Sequence, residues 1–303
     1  MEFVIESSKE RLDKFLAKNL KEFSRNKIQQ IIKNNAVKVN GLFITKPSFR
    51  LRPKDKVAVL ENQVLSYRKV PEIKPEPNIL LDIVYEDKDM AVINKPAGLL
   101  THPTASQTKH TLVNALLAKY PEISNVGENP LRPGIVHRLD KGTSGLIMVA
   151  KNQKAFLFIK EQFLNREISK KYLALVEGVP KEKEGVIDFP IRPSKKMRLK
   201  KVAVQRAEPA RKSTRVAKTE YKIKKVIGNN ALLEVSPLTG RTHQIRVHLS
   251  AIGHPVVGDK LYGSKIPAKR QFLHAYFLKF VAPNGAPVTL EIELPEDLKK
   301  MLY

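Results

Sequence analysis

The chain has 303 residues, long enough for one large domain or two, and 42% of them are hydrophobic, so a sizeable core can be buried. It contains no cysteine, which excludes a disulfide framework, a thiolate metal site and a cysteine nucleophile. Lys and Arg number 55 against 30 acids, a formal net charge of +25. That excess points to a polyanionic partner, above all nucleic acid, because a charge-rich heat-adapted composition raises both signs together. No apolar run is long enough to cross a bilayer as a helix. The opening residues, MEFVIESSKERLDKF, lack a signal-peptide pattern, so a cytoplasmic protein is expected. An anionic membrane surface fits less well, since no strongly amphipathic basic helix is visible.

The pattern predicts a helix over Arg11 to Leu20, with Leu12, Phe15, Leu16 and Leu20 on one face. Ser24 reads as the N-cap of a second helix that turns Ile28, Ile31 and Ile32 inward and Arg25, Lys27 and Lys33 outward. Val37-Lys38-Val39 alternates like a short strand and runs into Asn40-Gly41, a strong tight-turn signal. Another strand ends near Lys56-Val57-Ala58-Val59. This order, carried by RLDKFLA, SRNKIQQIIKNNAVKVNG and KPSFRLRPKDKV, resembles the small S-four-like RNA-binding domain. The resemblance implies an α/β RNA-binding domain over residues 1–60, with Arg25, Lys27 and Lys33 as RNA contacts. A small packing domain with solvated lysines is the bland alternative. Residues 61–78, with three prolines and mixed charge, read as a linker that lets two domains move relative to one another.

From residue 79 the texture changes. ILLDIVYED and MAVINK read as strands, HTLVNALLAKY as a helix, and GLIMVAK as a buried strand. NQKAFLFIKEQFLNR reads as a helix capped by Asn152, and KKYLALVEG as a strand. Further strands are expected at 218–226, 230–236, 272–280 and 287–293, with TGRTHQIRVHLSAIG a helix docked by Ile245, Leu249 and Ile252. Strands and helices in no strict alternation predict an α+β domain on a mixed, mainly antiparallel sheet with flanking helices, over residues 79–303. Residues 192–218 form the densest basic segment and read as a loop or hairpin that clamps phosphates, against the bland reading of a solvated charge run.

The motif with the most chemistry is GIVHRLDKGTSGLIMVAK. Two glycines and small hydroxyls follow Asp140, so the acid sits on a tight turn anchored by an apolar strand. On pattern alone an Asp in a turn is more often a turn-former than a nucleophile. This segment resembles the signature of the RluA-type pseudouridine synthases. NKPAGLLTHP, KKYLALVEG and LTGRTHQIRVH agree with the family's other motifs, in the family's order, across residues 79–294. The resemblance implies isomerisation of uridine to pseudouridine in structured RNA, most often large-subunit ribosomal RNA, with transfer RNA as the alternative substrate. The reaction it implies uses no metal, ATP or nicotinamide, and neither a P-loop nor a GxGxxG fingerprint is present; a monomer is expected.

Residue by residue, the resemblance implies Asp140 as nucleophile or its electrostatic equivalent and Arg241 as its ion-pair partner. Arg241 is expected to open the helix after Gly240, and on helical spacing it points about 140° from Arg246. Arg246 is therefore assigned to RNA or to structure. Tyr172 is expected either to stack on uracil or to take the proton from its carbon 5, and the bland role is a core aromatic. Arg138 is expected to fill the gap left by a flipped base, and His137 to help orient the backbone or contact RNA. His243 and His248 lie five apart, which is not metal-ligand spacing, and His102 and His274 are read as structural or RNA-contacting. Two rival readings are a non-catalytic ribosome-assembly factor on the same fold and a base-excising glycosylase.

Overall fold

A computed structural model describes residues 1–6, 10–23, 25–68, 72–104, 107–194, 197, 200–204 and 213–303, with only the backbone of 65–68. The cap expected at Ser24 and much of the basic segment's tip lie outside the described residues. The chain divides into two compact units, Met1–Glu72 and Ile73–Tyr303.

The first unit opens with strand β1 (Glu2–Val4), followed by helices α1 (Leu12–Asn19) and α2 (Arg25–Lys33). Leu12, Leu16, Leu20, Ile28, Ile31 and Ile32 are all buried, so the two apolar faces meet as their spacing predicts. Strands β2 (Val37–Val39) and β3 (Leu42–Phe43) flank Asn40-Gly41, both at positive φ, which is the geometry of a two-residue hairpin. β4 (Lys56–Val59) pairs with β2 and, on its other edge, with β1. Helix α3 (Glu61–Arg68) follows directly. Val64 of α3 belongs to this unit's core, so the first half of the expected linker is an integral helix. Residues from Ile73 belong to the second unit, where the Glu76 N–H donates to the Asn114 carbonyl at 2.9 Å.

The second unit comprises β5 (Ile83–Glu86), β6 (Met90–Lys95), α4 (Leu112–Lys119), β7 (Ser144–Ala150), α5 (Gln153–Asn165), β8 (Ser169–Glu177), β9 (Glu184–Ile187), β10 (Ile191–Pro193), β11 (Lys201–Ala203), β12 (Thr219–Ile227), β13 (Asn230–Pro237), α6 (Gln244–Ala251), β14 (Leu273–Val281), β15 (Pro287–Glu291) and α7 (Glu296–Lys299). One sheet runs β5-β6-β7-β14-β8-β13-β12-β9, with β15 also on β14, and only β7 and β14 are parallel neighbours. The mixed, mainly antiparallel α+β sheet is thus the one the pattern predicts. Asn152 caps α5 by accepting the Ala155 N–H, and Thr111 and Asn114 form a reciprocal capping box on α4.

Every residue of β7 is buried, which is why its sequence, SGLIMVA, carries no alternation. Its large side chains each contribute about 1.5–3 kcal/mol of burial. Gly145 has φ +116°, and a Cβ there would lie 2.2 Å from the Ala275 carbonyl oxygen. A side chain at that position would force β7 and β14 apart, directly beneath the Asp140 loop. The basic segment contains the hairpin β10–β11, with Ile191 opposite Ala203. Ile191 and Ala217 pack with Val247 of α6 and Tyr262 in a small separate core, so the hairpin's base is seated on α6. No helix among the described residues is long and apolar enough to cross a membrane.

Candidate active site

Asp140 lies in the loop that leads into β7, and the buried strand fixes its height. The Thr143 N–H closes the turn on the Asp140 carbonyl at 3.0 Å. The NKPAGLLTHP loop braces it from the side. The Thr101 hydroxyl donates to the Leu139 carbonyl at 2.8 Å and the Gly98 N–H to the Lys141 carbonyl at 2.7 Å. Leu139 is buried, whereas the Asp140 side chain stays 14% exposed at the floor of a cleft of about 280 Å³.

The guanidinium that meets Asp140 is that of Arg246, Nη1 to Oδ2 at 3.0 Å, not that of Arg241. The helix begins only at Gln244, and His243 before it is left-handed, with φ 59°. The Gln244 side chain accepts the Arg241 N–H at 3.0 Å and the Thr239 hydroxyl at 2.7 Å, which holds residues 239–241 outside the helix. Helical spacing therefore does not extend back to Arg241. Its side chain is exposed at the cleft rim, with Nε donating to the Val216 carbonyl at 3.0 Å. Arg246 is instead buried on the first turns of α6. Asp259, itself buried, grips it side-on, Nε to Oδ2 at 2.5 Å and Nη2 to Oδ1 at 2.9 Å, which leaves Nη1 for Asp140.

Three further groups condition the site. His243 Nε2 is 3.9 Å from Asp140 Oδ2 and Nδ1 is 2.9 Å from the Tyr262 hydroxyl. Burial lowers the His243 pKa, against the pull of Asp140, so the ring is neutral at neutral pH. Lys95 is fully buried, donating to the Pro96 and Leu99 carbonyls at 2.7 and 2.9 Å. Burial pulls its ammonium down to about 7, opposed by the charge of Asp140. Tyr172 on β8 is buried, lines the cleft and faces Asp140's charge. Burial first, then that charge, push its phenol up, so it stays protonated.

Of the two roles expected for His137, the contacts made are those of a residue that orients the backbone at the edge of the cleft. Its Nε2 accepts the Met148 N–H at 2.8 Å and its ring packs on Phe163, centroids 5.0 Å apart, so it ties the loop to β7. Burial lowers its pKa to about 3, which keeps that acceptor nitrogen unprotonated. Arg138 is exposed, with Nη1 3.3 Å from His102 Nε2. His274 is buried and hydrogen-bonds Ser144 at 2.8 Å, a structural role. In the first unit Lys33 is exposed and Lys27 leans over the Phe23 ring. Arg25 is half-exposed, with one edge of its guanidinium bonded to Asp13.

A family model described as RNA pseudouridylate synthase matches residues 89–251, more than half of the chain, and the S4 domain model matches residues 10–57. This chain belongs to the RNA pseudouridylate synthase family. It is 41% identical to an RNA pseudouridine synthase of Aquifex aeolicus, over 99% of this chain and 95% of that one. It is 36% identical to the ribosomal large subunit pseudouridine synthase D of Zymomonas mobilis, over 95% of this chain and 92% of that one. Among solved structures, human RNA pseudouridylate synthase domain containing 1 aligns with a TM-score of 0.57 at 30% identity, over 73% of this chain and 86% of that one. The synthase is thus an isomerase with an RNA-binding domain at its N-terminal side.

Sequence reasoning did not single out Asp259 and Tyr262, which lie buried against Arg246, and it noted His243, which lines the cleft, only for its spacing from His248. Asp259 and Tyr262 come from HPVVGDKLYG, which has no periodicity and no charge run to mark it. The turn-forming Gly-Asp and Tyr-Gly pairs were its only signal.

Proposed function

We propose that the synthase uses Asp140 as its catalytic residue on a uridine flipped out of structured RNA into this cleft. The bond from uracil N1 to the ribose C1′ breaks, the base turns, and C5 bonds to C1′ while the C5 proton leaves and N1 regains one. Atoms balance within the nucleotide, so no co-reactant is consumed. The observation that carries this reading is the Asp140–Arg246–Asp259 chain. It supplies an aimed carboxylate, held beside a cation and open on one side to a cleft.

Tyr172 in this reading stacks on the uracil. Its raised phenol pKa supports stacking over proton removal as a phenolate. Arg138, exposed two residues before Asp140, occupies the gap that the flipped base leaves. Arg241 binds phosphate at the rim. Arg25, Lys27 and Lys33, together with the β10–β11 arm, grip the RNA backbone. The substrate is large-subunit ribosomal RNA, a reading supported by relatives named ribosomal large subunit synthases, and the working compartment is the cytoplasm.

The test is mass spectrometry of nucleosides from unmodified ribosomal and transfer RNA transcripts incubated with the purified protein and no cofactor. Pseudouridine in the large-subunit RNA alone is expected. Product only in transfer RNA would move the substrate, and tight binding without product in either would favour an assembly factor.

A further inference from the structure

The basic arm and the carboxylate–arginine pair meet at one side chain. Tyr262 is buried, at the end of the short turn Lys260–Tyr262 that directly follows Asp259. Its ring lies under two cations, the Arg246 guanidinium at 5.0 Å from the centroid and the Lys200 ammonium at 5.5 Å. Its carbonyl accepts the Ser250 hydroxyl at 2.7 Å, which pins the turn to α6. The hydroxyl accepts the backbone N–H of Lys201, on β11, at 2.9 Å and lies 2.9 Å from His243 Nδ1. That hydroxyl has one proton and two acceptor sites; Lys201 fills one acceptor site, and Nδ1 is the other ring-side partner to which the proton can be directed. Burial pushes the phenol up to about 12, so the proton is present at working pH. With the proton directed to Nδ1, a neutral His243 carries its own proton on Nε2, the nitrogen that faces Asp140 at 3.9 Å.

We infer that Tyr262 is a positioning residue that couples the basic arm to Asp140: the arm's backbone, through the Tyr262 hydroxyl, sets the tautomer of His243 and the platform under Arg246. The inference rests on the proposed role of Asp140 for its kinetic consequence but not for its structural one. The Lys201 N–H is directed at Tyr262 rather than into the β10–β11 ladder, where its opposite residue is Pro193, itself without an N–H. The connection can thus be cut without breaking the hairpin. Lys201, Arg215 and Lys218 lie along this arm and its return, the latter two exposed, which makes it a surface for RNA phosphates. RNA seated there acts on the same strand whose N–H holds Tyr262.

The test uses the full chain with Tyr262→Phe, Lys201→Pro, the double variant, and Lys201→Ala, which retains the N–H. In the protein without RNA, side-chain nitrogen NMR of His243 should report the Nε2–H tautomer in the wild type and in Lys201→Ala. Tyr262→Phe and Lys201→Pro should each shift that signal. With a large-subunit RNA transcript, both single variants should lose about tenfold in kcat at near-constant KM, and the double variant no more than either. Lys201→Ala should act on KM. A His243 signal indifferent to both substitutions, or losses that multiply in the double variant, would overturn the coupling. If the wild type makes no pseudouridine on any transcript, the proposed function fails, and the tautomer measurement decides the coupling alone.

Discussion

The tetrapeptide Arg-Leu-Asp-Lys occurs twice in this chain, at 11–14 and at 138–141, and the two copies have different fates. In both, the leucine is buried and the aspartate meets an arginine from elsewhere in the chain. Asp13 sits in the first turn of a helix with no exposed side-chain surface. It accepts from Arg11 through two nitrogens, from Arg25 through two, and from Gln29. Burial pushes its carboxyl up, but the hydrogen bonds from Arg11, Gln29 and Arg25 outweigh it and hold it down at about 2. Asp140 sits on a glycine-flanked turn, keeps one guanidinium contact, and presents its remaining acceptor sites to a cleft. The first carboxylate is saturated and fastens two helices; the second is aimed but unsaturated. The difference lies in what surrounds each aspartate and not in the local sequence.

The comparison breaks most severely at Arg246. Arg246→Met would leave Asp259 buried without its cation, a loss of about 3–5 kcal/mol of stability in urea unfolding. Turnover should fall at least about 100-fold with it. Wild-type stability in that variant would show that Asp259 finds another partner.

Asp13→Asn should cost less, about 1–3 kcal/mol, read as faster hydrogen exchange in α1 and α2, with catalysis on a saturating substrate retained. It also sharpens the contrast through pH. The folded pKa of Asp13 is depressed, to about 2 from 3.8, so its stabilisation is complete above the unfolded value. It is lost as pH falls through about 2, and the Asn variant should lack that acid-sensitive part. Identical exchange profiles for both proteins between pH 5 and pH 3 would contradict this.

The smallest effect is expected at the rim. Arg241→Ala should change stability by less than about 0.5 kcal/mol and should raise KM without lowering kcat, because its guanidinium is exposed and does not touch Asp140. A collapse of kcat there would restore Arg241 to the role its sequence position suggests.

Much of the fold was legible because it is local. The apolar run 144–150, the cap at Asn152 and the Asn40-Gly41 turn each follow from a few adjacent residues. The motifs whose order matches a family also pointed to Asp140 and Tyr172, and both line the cleft. What was not legible depends on chain reversal or on a single backbone angle. β1 pairs with β4 more than fifty residues away, and three residues are too few to show alternation. Helix α3 takes up the first part of the stretch read as a linker, whereas Pro75 and Pro77 lie beyond it, so the prolines were informative only for the second part. The exchange of Arg241 for Arg246 turns on His243, whose left-handed conformation starts the helix three residues later than Gly240 suggests. His243 is not a glycine, and nothing in its neighbours announces that φ. Asp259 and Tyr262 reach the site only because the turn that bears them folds back on α6.

The central claim is that Asp140 is needed for chemistry and dispensable for structure and binding. Asp140→Asn keeps the size of the side chain and removes its charge. The most direct measurement pairs nucleoside mass spectrometry with RNA affinity on the same preparation, using a large-subunit ribosomal RNA transcript. The account predicts wild-type affinity and no pseudouridine. Undiminished pseudouridine formation by Asp140→Asn would contradict it.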